Sequence, residues 1–326
     1  MKVLGSRVTN LKLAELLNNI SLNSFHFPES LALKLAEDLP ATDRQGFVEN
    51  VKQSGAEIDD PLIIEKEEYT VLAATSPLSG RIMSDVLEKA RLHNLPPWSN
   101  ANLNSSASAY ITLLTTAKRI YNNSLASESQ RLEDLLALNP VGSLIGVLDS
   151  AGNVLIISTS LNRPFGSKRL LPSTGVILSN FNLHPTDNLL PWSCPLILKL
   201  KNNNYADGDD DHDDDEVLAI GVTGGLSAPF VAAQIIINKV HGGKSAPEAV
   251  TGPLLHLERG SPGQLLGCVS TVTNGSDVYQ VLLERETGLR GADRCSDPTL
   301  VLILQSHAGH VGAYGAPTAR VHIDGY

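Results

Sequence analysis

The stretch Val141–Leu161, VGSLIGVLDSAGNVLIISTSL, decides how the rest of the chain is read. Two apolar runs, Val141–Asp149 and Asn153–Leu161, flank Asp149-Ser150-Ala151-Gly152-Asn153, whose Asp, Gly and Asn suit a tight reversal of an extended chain. The spacing predicts a β-hairpin. The near-continuous apolar character predicts that both strands are covered on two faces.

Upstream, Leu11, Leu13, Leu16 and Leu17, then Leu31, Leu33, Leu35 and Leu39, recur at helical spacing and predict two short helices within 11–40. The polar stretch 41–60 carries no such pattern. Tyr69–Ala74 reads as a strand, Pro77–Gly80 as a turn into a helix over 81–93, and 105–122 as a third helix through Tyr110, Leu113, Leu114, Ala117 and Ile120.

Downstream, Val217–Val222 predicts a buried strand ending at Gly224-Gly225, with a helix over 230–240 behind that turn. Further short strands are predicted over 254–257, 267–272, 278–283, 299–304 and 319–323, separated by Gly, Pro and Asn clusters. Helices outside two stacked sheets, an α+β arrangement, fit this order better than βαβ alternation.

Composition narrows the possible roles. The 326 residues are 42% hydrophobic, enough for a sizeable core. The formal charge of -10 includes eight acidic residues within Asp207–Glu216, so the rest carries only -2, and a nucleic-acid partner has no electrostatic support. No run of uncharged apolar residues is long enough for a membrane span, and Arg7 and Lys12 interrupt the N-terminal apolar stretch, so neither a span nor a signal peptide is read. As written, the chain reads as soluble.

Cys194, Cys268 and Cys295 neither pair evenly nor show C-x-x-C spacing, so they read as core or edge residues rather than a disulfide framework or a zinc site. Sequons at Asn19, Asn104, Asn122 and Asn274 are about as many as this composition yields by chance. The Asp-rich segment 207–215 lacks the glycine and terminal glutamate of an EF-hand loop, leaving a solvated loop or a loose calcium site. His307 and His310 have no third ligand nearby. No cofactor and no metal site is expected.

Three windows carry a resemblance to a known family: EEYTVLAATSPLSG (67–80), GNVLIISTSLNRPFGSKRLLPSTGVILSN (152–180) and IGVTGGLSAPFVAAQIIINKVHGG (220–243), with Ala117-Lys118-Arg119 beside them. They resemble the γ-glutamyltransferase (glutathione hydrolase) family, and within it a degenerate paralogue of the sixth vertebrate type. The resemblance implies an N-terminal-nucleophile hydrolase-like αββα sandwich of two stacked, antiparallel-rich sheets flanked by helices. It also implies one integrated domain, with 1–141 the end of a large-subunit-like region and 142–326 a small-subunit-like region. Glutathione or γ-glutamyl compounds are the implied substrates if the protein is active, and the implied location is the cell surface or secretory pathway.

Members of this family cut themselves before a threonine, whose hydroxyl becomes the nucleophile and whose freed α-amine, with a pKa of about 7.7–8.0, serves as base. Counting back from Gly152-Asn153 puts that position on Gly142, which has no hydroxyl. The resemblance assigns Ser160 as the supporting hydroxyl, Asn162 as a contact to the glutamyl head, and Gly224 and Gly225 as the backbone oxyanion hole at a helix N-terminus. Where the family grips the substrate's α-ammonium with acidic residues, this chain has Phe181 and His184; the family's Ser-Ser pair falls on Pro191-Trp192, with Ser193 one place late. Two readings stand: a degenerate protein with a binding or structural role, or an active hydrolase and transpeptidase using Ser143 as nucleophile. Gly142→Thr is expected to give partial self-cleavage without useful turnover, an acidic pair at 181 and 184 being required in addition.

Overall fold

The computed structural model describes residues 9–21, 29–53, 58–75, 78–90, 103–125, 142–149, 151–161, 165–179, 193–201, 216–252, 254–259, 265–269, 277–285, 289–291, 299–307 and 310–315. They fall into two compact units: 1–59 with 161–182, and 60–160 with 183–326.

The first unit holds helices α1 (Leu11–Ser21), α2 (Glu29–Ala36) and α3 (Ala41–Gln53). Helix α3 lies in the polar stretch where no element is predicted; it buries none of its residues, so no apolar stripe marks it in the sequence. The segment around Thr174-Gly175 folds back on itself, with the Leu170↔Ile177 bridge on either side of a turn in which Gly175 has φ +70°. Asp38 Oδ2 accepts hydrogen bonds from Ser173 N at 2.8 Å and Ser173 Oγ at 2.7 Å, while Asn10 Nδ2 donates to Gly175 O at 2.7 Å. Beneath these contacts Leu171 packs with Ala36 and Leu39.

The second unit is built on a six-stranded, fully antiparallel sheet in the order β1 (Leu62–Glu65), β2 (Tyr69–Ala73), β5 (Leu196–Leu200), β6 (Glu216–Thr223), β10 (Leu300–His307), β11 (His310–Gly315). Period-two alternation gives its central strands two distinct faces. Leu218, Ile220 and Val222 of β6 join Val301 and Ile303 of β10 in a core shared with Met83 and Val86 of α4 (Gly80–Ala90), Tyr110 and Leu113 of α5 (Leu103–Leu125), and Phe230 and Ile235 of α6 (Ser227–Val240). The opposite face, with Gly221, Leu302 and Leu304, receives the hairpin of β3 (Gly142–Leu148) and β4 (Val154–Ser160). A small third sheet, β7 (Leu255–Arg259), β8 (Leu265–Val269) and β9 (Leu289–Arg290), lies against α5 and α6, where α7 (Ala246–Thr251) also packs. Helices, sheet and stacked hairpin form the α+β layering expected from the sequence.

The hairpin turn is held by the Asp149 carboxylate, which accepts from Ala151 N at 2.9 Å, Asn153 N at 2.8 Å and Asn153 Nδ2 at 2.8 Å, with Gly152 at φ +80°. One expectation about the hairpin fails. Its strands are covered on one face only: Ile145, Val147, Leu155 and Ile157 are 52%, 53%, 54% and 43% exposed. They form the cross-strand pairs Ile145↔Ile157 and Val147↔Leu155, while Leu144, Gly146 and Ile156 point to the sheet.

Two further expectations are corrected. Residues 278–283 lie in a helix, α8 (Asp277–Arg285), not a strand; Asp277 in its first turn and Arg285 in its last suit the helix dipole, Leu282 is buried, and Arg285 donates to Ser108 Oγ of α5 at 3.2 Å. Cys268 is disulfide-bonded, whereas Cys194 is a free, buried thiol. The segments 207–215 and 319–323 lie outside the described residues. No helix among the described residues is long and apolar enough to cross a membrane.

Candidate functional site

Strand β3 begins at Gly142, which is buried and directly opposite Ser160, the last residue of β4. Both lie on the hairpin face that meets the sheet. What stands across from them is the end of β6: a Cβ built on Gly142 would overlap Thr223 Oγ1 and come within 3.0 Å of both Thr223 Cβ and Cγ2.

Thr223 is 1% exposed and held by backbone pairing on both sides, with Leu300 of β10 and, through an isolated bridge, with Ser193. Ser193 is itself buried, and its carbonyl accepts from Ser79 Oγ at 2.7 Å and Ser79 N at 3.2 Å. Immediately after Thr223 the chain turns through Gly224 (φ 136°) and Gly225 (φ 70°) into α6. Residues with a Cβ are strained at such angles, so glycine is required here for the turn alone. Gly225 O accepts from Ala228 N at 3.1 Å, and Tyr121 OH donates to Leu226 O at 2.5 Å.

The helix behind the turn is stitched to β7. Ser227 Oγ donates to Leu257 O at 3.1 Å and accepts from Leu257 N at 2.9 Å. Gln234, two turns on, donates to Leu255 O at 2.8 Å and accepts from Leu255 N at 2.8 Å. These contacts fix the N-terminal end of α6, where the partial positive charge of the helix faces Gly224-Gly225. Burial raises the Tyr121 hydroxyl well above its usual range, with the nearby Cys194 adding to the effect. Burial likewise pushes the Cys194 thiol up to about 12, a hydrogen bond with Ser79 opposing it. Both groups are neutral near pH 7.

The structure therefore brings together Gly142, Ser160, Ser193, Gly224 and Gly225, contributed by the hairpin, the segment entering β5, and the β6–α6 turn. Ser143 lies elsewhere. It is exposed and sits on the outer face of β3 with Ile145 and Val147, facing away from the sheet. Asn162, Phe181, His184 and Pro191-Trp192 lie outside the described residues.

Thr223 was missed by the sequence reading. It lies inside the window 220–243, but its meeting with residue 142 depends on stacking between β3 and β6, which no local pattern encodes. A side chain introduced at 142, as in the Gly142→Thr change considered above, would meet Thr223.

No family model matches the chain. Human glutathione hydrolase 6 is 48% identical over 63 residues, covering 19% of this chain and 12% of that protein. The mouse glutathione hydrolase 5 proenzyme is 24% identical over 281 residues, covering 70% of this chain and 47% of that protein. The chain is similar to members of the glutathione hydrolase, or γ-glutamyltransferase, family. It spans less than half the length of these two family members. The cephalosporin acylase of Bacillus halodurans superposes with a TM-score of 0.59 at 19% identity, over 94% of this chain and 60% of that one, so the two share a fold.

Proposed function

We propose that this chain is a catalytically degenerate member of the glutathione hydrolase family and has a binding or structural role. The observation that carries the reading is Gly142: at the position assigned to the nucleophile there is no hydroxyl, and Thr223 fills the volume a side chain would need. Loss of the hydroxyl removes both self-cleavage and attack on a γ-glutamyl carbonyl, and without cleavage no α-amine is freed to act as base. The regions 1–141 and 142–326, large-subunit-like and small-subunit-like, then remain one polypeptide.

The alternative, an active glutathione hydrolase with Ser143 as nucleophile, is disfavoured by strand alternation. A shift of one residue along β3 moves the side chain to the other face of the sheet, and Ser143 is on the face away from Gly224-Gly225. The disulfide at Cys268 fits the oxidising secretory route that membership of the family implies.

Intact mass and a γ-glutamyl-p-nitroanilide assay test the reading together. The expected result is one chain of 34.8 kDa with no hydrolysis above a heat-killed control. Two fragments meeting at 141/142 or 142/143, with turnover abolished in Ser143→Ala, would establish the active alternative.

A further inference from the structure

We infer that Gly142 and Thr223 are a compensating pair, so that the centre is closed by two residues on two strands and not merely emptied by the loss of one. Its functional meaning rests on the reading of Gly142 as the nucleophile position; its steric content does not. Three side-chain atoms of Thr223 lie at or within 3.0 Å of a Cβ at 142. Rotation about χ1 can carry Oγ1 out of the overlap only by leaving the observed rotamer, and in every rotamer Thr223 Cβ stays at 3.0 Å.

Pairing on neighbouring strands limits backbone retreat to small shifts. Thr223 is paired with Leu300 on one side and bridged to Ser193 on the other, while Gly142 is paired with Ser160. Truncation at 223 removes the Oγ1 overlap without moving either strand. Thr223 also immediately precedes the Gly224-Gly225 turn, so the residue that meets position 142 and the turn are adjacent in the chain. Thr223 is thus the residue that sets what position 142 can be.

The test is a double-mutant cycle read as the thermal unfolding midpoint of the full chain: wild type, Gly142→Ala, Thr223→Ala and the pair. Alanine adds the Cβ alone. Overpacking a close-packed site by one carbon should make Gly142→Ala lower the midpoint by roughly 4–10 °C. In the Thr223→Ala background one contact of 3.0 Å remains, relieved by a shift of a few tenths of an ångström, and the same change should lower the midpoint by less than about 2 °C. Equal losses in both backgrounds would overturn the pairing. If Gly142→Ala gives no soluble protein, soluble, folded double variant supports the inference and an equally insoluble one overturns it. The proposed function fails separately: cleavage or turnover by the unmodified chain would refute degeneracy and leave the cycle untouched.

Discussion

Gln234→Leu tests how α6 is anchored behind the glycine turn. The substitution keeps the side chain close to its original size and removes both polar contacts to Leu255, whose N–H and C=O are each bonded to the Gln234 amide at 2.8 Å. Gln234 and Leu255 are both fully buried, so water cannot replace either bond without opening the structure. Each buried backbone group left unpaired costs about 1–3 kcal/mol, and two cost roughly 4 kcal/mol at the centre of that range. The added apolar burial of leucine offsets about 1 kcal/mol of this. At about 2–4 °C per kcal/mol for a domain of this size, the unfolding midpoint should fall by roughly 6–12 °C. Differential scanning fluorimetry gives the midpoint, and hydrogen exchange should show the Leu255 amide losing protection. A midpoint within 2 °C of wild type, with Leu255 still protected, would refute the assignment of Gln234 as a partner of the strand.

Two further predictions concern ionisation. The Asp149 carboxyl is held below its ordinary value by hydrogen bonds from the Asn153 side chain and backbone and from Ala151 N. A depressed folded-state pKa means that the contribution is present above the unfolded value and lost as pH falls through the folded one. The stability difference between wild type and Asp149→Asn should therefore shrink on acidification below the usual carboxylate range, as followed by denaturant unfolding at several pH values; a difference that grows would contradict it. Cys194, with its thiol raised to about 12 by burial, should resist iodoacetamide in the folded protein at pH 8 and react after denaturation without reductant, while Cys268 stays blocked until reduced. Peptide mass mapping distinguishes the two thiols.

Much of the second unit was legible because its signals are local. The hairpin follows from Asp149, Gly152 and Asn153 between two apolar runs, and the turn into α6 follows from Gly224-Gly225 behind a buried strand. What escaped depends on what lies across space. Ile145 and Leu144 are neighbours of equal apolarity, yet one faces solvent and the other the sheet, because only one face of the hairpin is covered. Val278 and Val281 carry strand propensity, but α8 is helical against α5, where packing outweighs the preference. Gly142 drew notice only through a resemblance, while Thr223, which a Cβ at 142 would meet, could be recognised only once β3 was laid on β6.

The half-covered hairpin has a thermodynamic consequence. Unfolding raises the heat capacity in proportion to the apolar area newly wetted, and Ile145, Val147, Leu155 and Ile157 are already about half wetted in the native state. The β3–β4 ribbon thus adds less to the curvature of the stability profile than its composition suggests. Local opening of the ribbon wets its sheet-facing side and the sheet beneath but adds little on its outer face, and so should respond to denaturant less than opening of a ribbon covered on both faces. The strand that carries Gly142 is then governed less by solvent conditions than by its seat against β6.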